Sequence, residues 1–109
     1  MKKIEAIIRP ERVNIVIQAL LAAGDAGVTV YEAAGHGKQR GHIKHPDEVP
    51  LHPRVMLVTV VKDSELDKIV KVIVENAKTD VVGDGKIFIT DLHDSIRIRT
   101  AEHGEKAIG

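Results

Sequence analysis

Ile4-Glu5-Ala6-Ile7-Ile8-Arg9-Pro10-Glu11-Arg12-Val13-Asn14-Ile15-Val16-Ile17-Gln18-Ala19-Leu20-Leu21 changes its hydrophobic period at the proline. Before it, Ile4, Ala6 and Ile8 alternate with Lys3, Glu5 and Ile7, the period-two spacing of a strand with two distinct faces. From Glu11 onward, Val13, Val16, Ile17, Leu20 and Leu21 recur at three and four residues, which is the stripe of a helix buried on one side. Gly24 suits the left-handed position that ends such a helix.

The strand-then-helix order comes a second time. Arg54 to Val61 reads as a strand, Asp63 or Ser64 can cap a helix starting near Glu65, and Leu66, Ile69, Val70, Ile73, Val74 and Ala77 form its stripe. A β-branched and aromatic run from Gly27 to Ala34 supplies a further strand, closed by Gly35 and Gly37. The turn Gly83-Asp84-Gly85 leads into another strand at Lys86 to Asp91, and a short extended piece at Ile96 to Thr100 precedes a polar tail. Strand, helix, strand, strand, helix, strand predicts one α+β domain over residues 1–109 with the ferredoxin-like βαββαβ order, its sheet antiparallel and both helices on one face.

The third strand carries a further implication. Val55, Leu57 and Val61 point one way while Met56, Val58 and Val60 point the other, so both faces are apolar where a lone sheet would wet one. Several such side chains left in water on a domain this small favour self-association.

Composition narrows the function. Hydrophobic residues make up 43% of the chain, yet Phe88 and Tyr31 are its only large aromatic side chains of the Phe, Tyr and Trp class, so the core is aliphatic. Sixteen basic and sixteen acidic residues cancel, which leaves no global field to steer the chain toward nucleic acid or an anionic membrane. Without cysteine there is no disulfide framework, thiolate metal site or thiol chemistry. The longest mainly apolar run, Val55 to Val61, falls far short of the roughly 20 residues of a bilayer span, and Lys2, Lys3 and Glu5 do not make a secretory leader. A cytoplasmic protein, not embedded in a membrane, is expected.

Three places could carry chemistry. Gly83-Asp84-Gly85-Lys86 sits in a turn before a strand, with Arg97 and Arg99 following it. Glycines let backbone N–H groups approach an anion closely, and the cations offset phosphate charge, although the same turn also serves as a simple tight turn. Gly35-His36-Gly37-Lys38-Gln39-Arg40-Gly41 is glycine-rich but lacks the spacing of a dinucleotide fingerprint or a P-loop. The stretch from Lys38 to Pro53, with His42, His45 and His52, has no lasting period and exceeds the usual connection. Its histidine spacing fits no structural zinc pattern, so no metal site is assigned. No nucleophile elbow is present and the Asp-Ser pairs at 63–64 and 94–95 read as cap and turn residues, so no catalytic residue is assigned and an enzyme is not expected.

Taken together, these pieces resemble the PII nitrogen-regulatory signal proteins over nearly the whole chain. The opening Met1-Lys2-Lys3-Ile4-Glu5-Ala6-Ile7-Ile8-Arg9-Pro10 is similar to the family's start, Thr79-Asp80-Val81-Val82-Gly83-Asp84-Gly85-Lys86-Ile87-Phe88-Ile89 to its B-loop signature, and Ile96-Arg97-Ile98-Arg99-Thr100 to its C-loop. The resemblance implies a homotrimer with inward-facing sheets and an ATP or ADP site, with AMP as a further candidate, in each cleft between subunits. It places the T-loop near residues 37–53, the B-loop near 79–86 and the C-loop near 93–103. Gly83, Asp84, Gly85 and Lys86 would hold phosphates, with Mg²⁺ accompanying ATP. Arg97 and Arg99 would reach across from the neighbour. Gly35, His36, Gly37, Lys38 and Gln39 would line the T-loop base, and Ile7, Thr29 and Val60 the adenosine. Gln39, Arg54 and Lys86 would hold a small anion, 2-oxoglutarate or bicarbonate, and the loop would signal to a target protein in nitrogen or inorganic-carbon metabolism.

The sequence departs from the family where its functions are decided. The stretch from Gly41 to Pro53 is shorter than usual and lacks the tyrosine that is uridylylated in many bacteria, and Tyr31 lies on a strand. A family phenylalanine is His36 and a glutamate of the third strand is Val58. A bicarbonate-responsive, carboxysome-associated relative is therefore an alternative to a 2-oxoglutarate sensor, and the loop histidines raise a metal-binding trimer of the CutA type as another.

Overall fold

The computed structural model describes residues 1–25, 27–37 and 49–109. Its elements are β1 (Lys2–Ile8), α1 (Val13–Ala22), β2 (Thr29–Gly35), β3 (His52–Val61), α2 (Leu66–Ala77) and β4 (Lys86–Asp91). The strands form one antiparallel sheet in the order β2-β3-β1-β4. With two helices on one face, this is the ferredoxin-like arrangement the alternating periods predict.

Periodicity and burial agree except at Leu21 and Val74, stripe positions at the rim of the helices that are 57% and 46% exposed. Ile4, Ala6 and Ile8 of β1 and Leu57 and Val61 of β3 are buried against Val16 and Leu20 of α1 and Ile69, Ile73 and Ala77 of α2. Each large aliphatic side chain removed from water contributes about 1.5–3 kcal/mol, so this layer carries the stability of the domain. Gly24 has φ +88 at the end of α1, the left-handed stop expected there.

Several element ends differ from expectation. Pro10–Arg12 forms a 3-10 turn, so α1 starts at Val13 and not Glu11; the proline fixes the first turn and withholds a donor. Likewise Asp63–Glu65 forms a 3-10 turn before α2, and neither Asp63 nor Ser64 caps a helix through its side chain. Asp63 instead accepts from the Met1 ammonium at 2.9 Å, the main cause of its lowered pKa. β3 begins at His52, which pairs with Gly35, so the long connection ends before Pro53. Ile96–Thr100 is not a strand: Ile96 makes one bridge to His103 around an intervening turn.

Two contacts outside the aliphatic pattern tie the layers together. Arg12 donates through Nε and Nη2 to the Asn76 carbonyl at 2.9 and 2.7 Å, a cation on the last turn of α2. On the core face, Thr59 is 2% exposed and Asp25 8%. The Thr59 hydroxyl lies 2.8 Å from both Asp25 oxygens and 2.9 Å from the Gly27 carbonyl, sharing one proton among three acceptors and holding the exit of α1 against β3.

The second face of the sheet is the unusual one. Register places Tyr31, Met56, Ile7 and Lys86 in one cross-strand row and Thr29, Val58, Glu5 and Phe88 in the next. Met56, Val58 and Val60 are only half-buried, and Phe88 and Tyr31 are 48% and 51% exposed. This is the two-sided apolar sheet anticipated from β3. No helix among the described residues is long and apolar enough to cross a membrane.

Candidate functional site

The turn from Thr79 to Gly85 carries the backbone from α2 into β4, and its shape needs residues at positive φ. Asp80 has φ 66, Gly83 φ 106 and Gly85 φ 102. At Gly85 the requirement is also steric. A Cβ there would lie 1.7 Å from the Ile7 carbonyl oxygen and 2.7 Å from its carbon, so only glycine lets the turn lie against the end of β1.

Asp84 organises the same turn. Its carboxylate accepts from Arg9 Nε at 2.9 Å, the Thr79 N–H at 2.6 Å and the Asp80 N–H at 3.0 Å, as well as from the Thr79 hydroxyl. The Thr79 hydroxyl first, then the Arg9 guanidinium and the two backbone donors, hold the Asp84 carboxyl well below the usual carboxylate range. Arg9 Nη2 also donates to the Val82 carbonyl at 3.0 Å. Neither Arg9 nor Thr79 stood out as a functional residue in sequence; the one available hint was a cation at the very end of a strand, immediately before a proline.

Lys86 opens β4 directly opposite Ile7 and is exposed on the open face. Thr29 and Val60 lie on that same face, paired in register with Val58 and Lys3, and Arg54 lies there opposite Ala33. The sheet therefore brings Ile7, Thr29, Val60, Arg54 and Lys86 onto one surface, with Gly83, Asp84 and Gly85 at its rim. Arg54 Nη1 donates to the Pro53 carbonyl at 2.7 Å.

Gly35 ends β2, and His36 Nδ1 lies 3.0 Å from the Pro50 carbonyl, joining the two sides of the long connection at its base. Gly37 follows as exposed irregular backbone. Lys38 and Gln39 lie outside the described residues, as do His42 and His45. Among the described residues, no group of three or more acidic or histidine side chains is placed to hold a metal ion.

Arg97 and Arg99 follow β4, which leaves the sheet at the end opposite the glycine turn. Arg97 Nη1 pairs with Glu102 at 3.1 Å, and its Nη2 donates to the Lys106 and Gly109 carbonyls. Lys106 and Gly109 line a cleft of about 340 Å³ with Val60 and Lys62, whereas Gly85 abuts Ile7. Within one chain, Arg97 and the glycine turn thus occupy different ends of the sheet. Arg99 is exposed. Asp94 closes the same segment by accepting from the backbone of Ser95 and Gly104 and lying 2.7 Å from His103 Nδ1. The contact with His103 is the main reason its pKa is lowered.

Comparison with known proteins bears on this geometry. The family model described as Nitrogen regulatory protein P-II matches residues 1–102. Nitrogen regulatory protein P-II 1 of Methanothermobacter thermautotrophicus is 47% identical over 112 aligned positions, covering 99% of this chain and 97% of that protein. Nitrogen regulatory protein P-II of Cereibacter sphaeroides is 44% identical, covering 99% of this chain and all (100%) of that protein. The solved structure of Arabidopsis thaliana PII bound to citrate superposes with a TM-score of 0.83 at 39% identity, over 98% of this chain and 88% of that one.

Proposed function

The chain belongs to the nitrogen regulatory protein P-II family, a family of regulators and not of enzymes, and on that footing we propose that it is a trimeric sensor of adenine nucleotides. ATP and ADP, with AMP as a further candidate, bind in clefts between copies. Gly83, Gly85 and Lys86 of one copy receive the phosphates, with Mg²⁺ accompanying those of ATP, and Arg97 and Arg99 of the neighbour complete the site. Ile7, Thr29 and Val60 take the adenosine, and Gly35, His36, Gly37, Lys38 and Gln39 form the base of the responsive loop.

The observation that carries this reading is the glycine turn itself. Its positive-φ glycines and Lys86 stand at the rim of an apolar sheet face, while the arginines of the same chain lie toward the other end of that sheet. Such a half-site gains a cationic second half when copies associate through the open face, and burial of Met56, Val58, Val60 and Phe88 drives that association. A small anion, 2-oxoglutarate or bicarbonate, sits between Gln39, Arg54 and Lys86, the latter two already on one face. Citrate in the Arabidopsis relative is consistent with a taste for small carboxylates. The ligand then biases which conformations of residues 37–53 dominate, and these bind or release a target protein of nitrogen or inorganic-carbon metabolism.

Calorimetric titration of ATP, ADP and AMP, with and without Mg²⁺, 2-oxoglutarate and bicarbonate, tests the proposal. Saturable ATP binding that is lost in Lys86→Ala supports it. Absence of heat and of any thermal shift with every nucleotide refutes it.

A further inference from the structure

A carboxylate in the middle of a phosphate-binding turn presents an electrostatic problem. Asp84 stands between Gly83 and Gly85, and a bare carboxylate there repels the phosphates that the glycines admit. In the structure it is not bare. Arg9 Nε takes one oxygen at 2.9 Å, Thr79 and Asp80 backbone donors take the other at 2.6 and 3.0 Å, and the Thr79 hydroxyl adds a fourth contact.

The same guanidinium reaches past Asp84 to the Val82 carbonyl at 3.0 Å. Arg9 is therefore bonded to the turn on both sides of Gly83, while Gly85 rests on the carbonyl of Ile7, two residues before Arg9 in the chain. The turn is fastened to the end of β1 at both points.

We propose that Arg9 is a positioning and charge-shielding residue of the nucleotide site. It neutralises Asp84, so that the turn presents glycine backbone and Lys86 to polyphosphate without a competing negative charge, and Asp84 is a clamp of the turn and not itself a phosphate or Mg²⁺ ligand. This inference rests on the nucleotide reading given above, and it makes a prediction that a purely structural role does not. Removing Arg9 leaves an uncompensated charge, whose repulsion grows with the charge of the ligand.

Titration of adenosine, AMP, ADP and ATP into wild type, Arg9→Ala, Asp84→Asn and the Arg9→Ala/Asp84→Asn double variant reads this directly. Arg9→Ala is expected to bind adenosine about as well as wild type and to lose affinity progressively from AMP to ATP, on the order of tenfold for ATP. The double variant is expected to bind ATP better than Arg9→Ala alone, because the exposed charge is gone. Asp84→Asn alone loosens the turn but removes the negative charge, so it is expected not to lower the preference for ATP over adenosine, which also tests the idea should Arg9→Ala fail to fold. Equal losses for all four ligands in Arg9→Ala, a double variant weaker than Arg9→Ala, or a preference for ATP over adenosine that falls in Asp84→Asn would each overturn the inference while leaving the nucleotide reading intact. A wild-type protein that binds none of the four removes the nucleotide reading, and the inference with it.

Discussion

Gly85→Ala is the sharpest test of how the glycine turn is built. Two costs add at this position. An L-residue at φ +102 loses about 1 kcal/mol relative to glycine, and the new methyl would lie 1.7 Å from the Ile7 carbonyl oxygen. That contact is with backbone on the neighbouring strand, so relief requires moving β1 away from β4, an overpacking cost of about 1–3 kcal/mol or more. The sum, roughly 2–4 kcal/mol, is a large part of the 5–15 kcal/mol of a typical domain. At about 4–8 °C per kcal/mol for a domain of this size, the melting midpoint should fall by roughly 10 °C or more. Gly24→Ala is the matched control: φ is +88 there, but nothing lies within 4 Å of the added carbon, so only the first cost applies. Thermal melts of both variants at one protein concentration, which matters for an associating chain, separate the two effects. A Gly85→Ala protein that melts with Gly24→Ala would refute the steric argument.

Further outcomes follow from the same contacts. Thr59→Val keeps the volume of a buried side chain but removes the hydroxyl from the Asp25 carboxylate; denaturant unfolding should show a loss of about 1–3 kcal/mol, and an unchanged midpoint would mean that Asp25 finds another donor. Asp84 has a depressed folded pKa, so its stabilisation is present above the unfolded value of about 4 and is lost as pH falls through the folded one. The stability gap between wild type and Asp84→Asn should accordingly be open at neutral pH and close in strong acid, as followed by melts across that range. Asp80 holds φ 66, so Asp80→Ala should be about 1 kcal/mol less stable than Asp80→Gly, and equal unfolding midpoints would argue against that backbone geometry.

The fold was legible because two signals reinforced each other. The switch from alternation to a helical stripe at Pro10, repeated between β3 and α2, specified both layers, and the faces assigned to Ile4, Ala6, Ile8 and Leu57 are the buried ones. Element ends were harder, since a 3-10 turn and an α-helix share the same apolar spacing over one turn. At the candidate site, the glycines and Lys86 announced themselves by composition. Arg9 and Thr79 did not, because their relation to Asp84 exists only once the turn after α2 lies against the end of β1. Asp25 and Thr59 stayed hidden for a similar reason: a lone polar residue in a strand reads as solvent-facing until its partner, 34 positions away in sequence, is brought beside it. The Arg97 contacts with Glu102 and the C-terminal carbonyls likewise arise from a chain reversal that Ile96-Arg97-Ile98-Arg99 disguises as a strand.

The claim that most needs a direct test is that each nucleotide cleft is shared between copies. Lys86→Ala and Arg99→Ala chains, each expected to bind ATP poorly alone, can be unfolded together and refolded into mixed trimers. If Lys86 and Arg99 act from opposite sides of one cleft, every mixed trimer contains a cleft with both residues intact, and ATP binding measured by calorimetry returns. Mixed trimers as deficient as either parent would contradict the account.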